Sequence, residues 1–176
     1  MQEIDGLAEW IKWTLIFVFG SGGLFGFFLS RVMANLDRRN AYDKETMKRI
    51  VDDLSKLILS IRQHDFGGAY RHDIHSQMDR FEVHSLEPEY KFINKNLEKI
   101  RLELVKAVLQ FNHHLALNSH HLPTSAGNTF GKIYTGRDEE FEDYDKYERL
   151  RTEINKMADQ VCDLYDKLIK SAKMKV

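Results

Sequence analysis

The chain has 176 residues, 30% of them charged and 43% hydrophobic, and its 26 Lys and Arg against 27 Asp and Glu leave a formal net charge of −1. That balance excludes a general nucleic-acid binder, whose phosphate contacts need a basic excess. Two prolines and ten glycines argue against a turn-rich β sandwich and against a low-complexity disordered chain, while the single cysteine, Cys162, excludes an internal disulfide and fits a reducing compartment.

From the N-terminus, the stretch Trp13 to Leu29 carries no charge, and Val32, Met33 and Ala34 extend it past Arg31. The distance from Trp10 to Val32 is close to the ~20 residues a spanning helix needs. Lys12 and Arg31 can reach headgroups from its ends, and Trp10 and Trp13 stand where interfacial aromatics stand. The pattern predicts a transmembrane helix over residues 10–34 behind a short leader, 1–9. Glu3, Asp5 and Glu9 in that leader argue against a cleaved signal peptide, although Val32-Met33-Ala34 has the look of a cleavage site. Arg31, Arg38, Arg39 and Lys44 follow the stretch and only Lys12 precedes it. The positive-inside bias then places the N-terminus outside and the rest in the cytoplasm of a bacterial inner membrane. Thr14, Val18, Gly22, Gly26, Ser30 and Ala34 recur every four residues, a small-residue seam along which two such helices would pack.

Setting aside residues 1–34 removes two basic and three acidic side chains and leaves residues 35–176 formally neutral. Three stretches there alternate apolar residues at three and four, the mark of helices packed along a narrow seam. The first is Met47, Ile50, Leu54, Leu57, Ile61. The second is Tyr90, Ile93, Leu97, Ile100, Leu104, Ala107, Phe111. The third is Tyr147, Leu150, Ile154, Met157, Val161, Leu164, Leu168, preceded by Phe141 and Tyr144. Ser85 and Pro88 suit the start of the second helix, which should stop near Asn118 ahead of Pro123 and the run Thr124–Asn128. Gly136 closes that loop; Asp138, Glu139 and Glu140 then favour the start of the third helix, and Lys167, Lys170, Lys173 and Lys175 its end. At ~1.5 Å per residue the second and third helices would be roughly 45–55 Å long.

The predicted fold is therefore all-α: one N-terminal transmembrane helix followed by a cytoplasmic antiparallel bundle of three long helices. The loop 119–137 would lie at the membrane face and residues 65–86 at the far end. Phe66, Tyr70, Ile74, Gln77 or Met78, and Phe81 are spaced like a short helix, whose start Gly67-Gly68 weakens. Strand character is confined to the neighbourhood of Ile133-Tyr134.

Eight histidines cluster as His64, His72, His75, His84 and as His113, His114, His120, His121. His72 and His75 would share a helix face and, with Asp79 one turn on, could hold a metal for a metal-dependent hydrolase. In the bundle the two clusters sit at opposite ends, which argues against one shared site, and most of these side chains read as exposed or core-edge. Arg80 and His84 have three intervening residues, short of the four to six that helical ribonucleases use. No P-loop, HExxH, nucleophile elbow or dinucleotide fingerprint is present, so no cofactor is expected. Cys162, beside the seam residue Val161, reads as a packed thiol.

Phe66-xxx-Tyr70, Pro88-x-Tyr90-x-Phe92, Leu117-Asn118…Leu122-Pro123, Asn155-xx-Ala158-Asp159 and Tyr165-Asp166-x-Leu168-Ile169 together resemble a family of bacterial helical proteins with no assigned activity. The resemblance spans roughly residues 60–172 and implies a bacterial source and a helical bundle, with no active-site residue. The expectation for function is a non-enzymatic, membrane-anchored bundle that meets the lipid bilayer, self-associates as a homo-oligomer and docks a cytoplasmic protein. A membrane-permeabilising effector of an anti-phage or toxin system is the alternative drawn from the glycine-rich span.

Overall fold

A computed structural model describes residues 2–123, 129–133 and 144–173, with side chains described over 27–120, 130–133 and 144–173. Its elements are α1 (Gln2–Arg62), β1 (Tyr70–Arg71), α2 (Asp73–Ser85), a 3-10 turn (Pro88–Tyr90), α3 (Lys95–Leu117), β2 (Ser119–Pro123), β3 (Thr129–Ile133) and α4 (Tyr144–Lys173). The chain divides into two compact units, Met1–Ala41 and Tyr42–Val176.

The first unit corrects the expected membrane anchor. Residues 10–34 do not form an element of their own; they belong to α1, a single helix of 61 residues. Among the described residues no helix is long and apolar enough to cross a membrane. The described part of the apolar stretch begins at Phe27 and meets Arg31 within a turn, then Asp37, Arg38 and Arg39. A single-span inner-membrane protein with its N-terminus outside is therefore not supported. Of the small-residue seam, Ser30 and Ala34 are exposed, and the side chains of Thr14, Val18, Gly22 and Gly26 lie outside the described residues.

In the second unit the four helices share one apolar core. α1 contributes Ile50, Leu54, Leu57 and Ile61, and α4 contributes Ile154, Val161 and Leu168, which are the seam positions read from the sequence. Cys162 is buried beside them, and burial pushes its thiol above its ordinary value.

The three-helix layout is also corrected, by one insertion. Asp73–Ser85 is a full helix that buries Ile74, Met78 and Phe81. It carries the chain back along α1: the Tyr42 hydroxyl donates to the Pro88 carbonyl at 2.9 Å, and Thr46 Oγ1 to the Glu89 carbonyl at 3.1 Å. Asp43 then accepts from the backbone N–H of Ile93 and of Asn94, at 2.7 and 3.1 Å. The predicted start of the next helix at Ser85–Pro88 gives way to this pinned turn. Asn94 caps α3 instead, accepting from the N–H of Asn96 and of Leu97. α3 has 23 residues, about 34 Å by its rise, and ends at Leu117 with Asn118 as its C-cap. α4 has 30, about 45 Å.

A buried Arg101 locks the α2–α3 corner. It donates to both Glu98 oxygens, at 2.8 and 2.6 Å, and to the Ser85 carbonyl at 3.0 Å. Burial pushes the Glu98 carboxyl up, but the Arg101 hydrogen bond and the Phe92 N–H outweigh it and hold it below its ordinary value.

Because α2 turns the chain round once more, α3 ends beside the end of α1, where Phe66 stacks edge-on to Phe111 at 5.2 Å. The segments expected at opposite ends therefore meet. β1, β3 and β2 form an antiparallel sheet in that order, with Tyr70 opposite Gly131 and Ser119 opposite Ile133. The fold is mostly helical with this small sheet, and is not all-α.

Gly131 is where the sheet leaves no room: a Cβ there would stand 2.3 Å from Tyr70 Cζ. Tyr70 is buried and cannot swing away. Gly131→Ala is expected to cost about 2 kcal/mol through this overpacking, read as a lower urea midpoint at unchanged slope; in a Tyr70→Leu background the same change should cost much less.

Candidate functional site

The meeting of β1, α2, α3 and β2 assembles polar groups from four elements into one chain of hydrogen bonds. Asn112 Nδ2 donates to Asp79 Oδ1 at 2.7 Å. A carboxylate only accepts, so the amide must point its nitrogen that way and its oxygen toward His75. His75 Nδ1 lies 2.7 Å from Asn112 Oδ1 and therefore carries a hydrogen. On the other side of the ring, His75 Nε2 is 3.1 Å from the Tyr70 hydroxyl, which in turn is 2.6 Å from Ser119 Oγ.

This chain has two settings. When Tyr70 donates to Ser119, His75 Nε2 must donate to Tyr70, and the ring is an imidazolium. When His75 is neutral, Nε2 accepts the Tyr70 hydrogen and Ser119 donates to Tyr70. Protonating one ring thus reverses two hydroxyls that link α2 to the sheet. Burial pushes the Tyr70 phenol above its ordinary value, with the Ser119 contact opposing.

The metal candidates His72, His75 and Asp79 fall at this place but are not arranged as ligands. Both ring nitrogens of His75 are engaged, and Asp79 is occupied by Asn112. The rings of His72 and His75 are tilted at 5.2 Å between centroids, a packing contact. Among the described residues no group of three His, Cys, Asp or Glu is placed to hold a metal ion.

The other histidines have separate surroundings. His64 packs edge-on against Phe66 and Tyr70, at 4.9 and 6.1 Å, and its Nε2 is buried without a hydrogen-bond partner among the described residues. His114 Nε2 lies 3.8 Å from Glu153 on α4. His113 and His120 are exposed, and the His121 side chain lies outside the described residues.

A second histidine centre joins α1, α2 and the 3-10 turn. His84 Nδ1 is 2.7 Å from Asp53 Oδ2, and the Tyr90 hydroxyl donates to the same oxygen. Arg80 Nε stands 4.0 Å from the other oxygen. Burial pushes the Asp53 carboxyl up, but the hydrogen bonds from Tyr90 and His84 and the charges of His84 and Arg80 outweigh it, so it sits below its ordinary value.

Sequence reasoning missed Tyr70, Asn112 and Ser119 as partners of His75, and Asp53 and Tyr90 as partners of His84. Asn112 and Asp53 lie 37 and 31 positions from their histidines and Ser119 lies 49 from Tyr70, whereas Tyr70 and Tyr90 lie 5 and 6 positions from the rings they meet. The return of α2 along α1 brings Asp53 to His84, and the direction of α3 brings Asn112 and Ser119 to the other centre. No protein-family model, no curated protein and no solved structure matches the chain.

Two outcomes follow from these geometries. Asn112→Leu strands His75 Nδ1 and removes a donor from Asp79, and is expected to cost about 2 kcal/mol; in a His75→Leu background the cost should fall by at least half, measured as a double-mutant cycle by urea unfolding. For His64, burial holds the ring below its ordinary value, with Asp65 opposing. A depressed folded value means that its contribution is complete above the unfolded value of about 6.5 and is lost as the pH falls below it. Wild type should lose stability between pH 7.5 and pH 5.5, on either side of about 6.5, and His64→Phe should lose visibly less, as urea midpoints would show.

Proposed function

We propose that this chain is a protein–protein interaction module that self-associates through the N-terminal arm of α1. The observation that carries the reading is a row of apolar side chains left exposed among the described residues. Phe28, Leu29, Val32, Met33 and Leu36 are all exposed. At 100° per residue they fall within an arc of about 140°, while Ser30, Arg31, Ala34, Asp37 and Arg38, with the exposed Phe27 among them, occupy the opposite face.

An exposed arc of that width is one half of a helix–helix interface. The occupant is a second copy, because the spacing Leu29, Val32, Leu36 is the three-four alternation that lets identical helices interlock knob into hole. The same alternation in Ile50, Leu54, Leu57 and Ile61 is what the bundle buries. Each leucine or valine taken out of water contributes about 1.5–3 kcal/mol before the cost of association. Three per copy are enough for a specific pair.

The test is sedimentation equilibrium of the full chain against the variant Leu29→Lys/Val32→Lys/Leu36→Lys. The wild type is expected to be an oligomer and the variant to dissociate with its constant raised roughly a thousandfold or more, while the urea midpoint of the bundle stays put. A variant that sediments like the wild type would sink the reading.

A further inference from the structure

Arg80 and His84 stand one turn apart on α2, and each keeps hydrogen-bonding capacity that the fold does not use. His84 meets Asp53 through Nδ1, and Asp53 Oδ2 can only accept, so Nδ1 carries the hydrogen. The ring is thereby fixed in one orientation, which leaves Nε2 with no protein partner among the described residues. The His84 side chain is 34% exposed, whereas Asp53 is 16% exposed. Arg80, 52% exposed, comes no closer to Asp53 than 4.0 Å, beyond hydrogen-bond reach. Its guanidinium makes no hydrogen bond among the described residues.

Residues four apart on a helix are neighbours, their Cβ atoms about 6 Å apart. A five-donor fork and an imidazole nitrogen are therefore within reach of one small group. We propose that Arg80 and Nε2 of His84, with the ring set by Asp53, bind a single phosphoryl group, either inorganic phosphate or the phosphate of a monoester.

The shape of the donor set selects phosphoryl over carboxylate. A carboxylate has two oxygens, both met by the Arg80 fork, and Nε2 would have to share one of them with the guanidinium. A tetrahedral phosphate gives two oxygens to the fork and a third to the imidazolium. The charges agree. Because Nδ1 already carries a hydrogen, Nε2 donates only when the ring is an imidazolium; Asp53 and the ring then cancel, and Arg80 supplies a net positive charge. The same Asp53 that ties Tyr90 and His84 into the bundle thus orients the ring for binding. A purely structural role accounts for Nδ1 and for the charge of Arg80 beside Asp53, and makes no use of Nε2 or of hydrogen bonds from the guanidinium.

The experiment is NMR of the full chain with ring-labelled histidine, titrated with inorganic phosphate at constant ionic strength near neutral pH, the His84 signal being assigned with His84→Gln. A saturable shift of His84, with the remaining histidines still, is expected. Arg80→Gln, at an exposed position with the urea midpoint as a check on folding, should weaken the apparent Kd roughly tenfold or more. Acetate should move His84 far less than phosphate does. A parallel titration with phosphoserine separates the sources: tighter binding than phosphate assigns a monoester, weaker binding assigns the free ion. No saturable shift up to tens of millimolar, an unchanged response in Arg80→Gln, or acetate equal to phosphate would each overturn the proposal.

Discussion

The ring of Tyr70 lying across Gly131 is the contact on which the second unit's arrangement rests. Any residue but glycine would place a carbon inside van der Waals distance of that ring. The contact fixes β1 against β3, and β3 in turn holds β2, so that the segment after α1 and the segment after α3 share a sheet. Tyr70 is also the hydroxyl between His75 and Ser119. Packing and hydrogen bonding thus converge on one side chain: the glycine lets the ring in, and the polar chain holds its tip. A phenylalanine would keep the first and lose the second, which is why an aromatic with a polar handle suits a buried site at a sheet edge.

Much of the helical layer was legible. Ile154, Val161 and Leu168 on α4, and Leu54, Leu57 and Ile61 on α1, are core positions because a three-four apolar alternation leaves a helix one face to bury. The stop of α3 at Asn118 was legible for the same local reason, since Pro123 cannot continue a helix. The standing of 65–86 was not. Gly67 and Gly68 lower helix propensity only where they sit, and the helix begins beyond them at Asp73. Placing that short helix at the far end of a three-helix bundle rather than within the bundle reversed the direction of α3, and with it every inference about which end each histidine occupies. One element miscounted changes parity, and parity decides neighbours.

The N-terminal stretch shows a different limit. Hydropathy and flanking charge see composition along a line, and the stretch 13–29 has the composition of a span. Past Arg31 the helix continues unbroken to Arg62, and its apolar side chains from Phe28 to Leu36 face one way. An amphipathic arc in a long helix and the end of an apolar segment have nearly the same sequence. What separates them is whether polar residues take over the opposite face, as Ser30, Arg31, Asp37 and Arg38 do here beyond Phe27.

Two of the aspartates that tie distant segments together show how a pin differs from a site. Asp65 is saturated: Oδ1 accepts from the Gly67 N–H at 2.9 Å, from Asn155 Nδ2 at 2.9 Å and from Arg151 Nε at 3.1 Å, and Oδ2 accepts from the same guanidinium. The Arg151 and Gly67 hydrogen bonds hold its carboxyl far below the ordinary range. Asn155 passes the restraint on by accepting from the Phe66 N–H, and Tyr147 donates to the Gly67 carbonyl, so the turn is closed on every side. Asp53 is built otherwise. Its Oδ2 takes Tyr90 and His84, while Oδ1 faces an arginine held at 4.0 Å. Had folding alone set that contact, the arginine would be expected to close the gap, as Arg151 does on Asp65, because a charge-assisted bond is about twice as strong as a neutral one. A donor set left open beside a carboxylate that orients one of its members has the form of a receptor for an anion, and a saturated carboxylate has the form of a clamp.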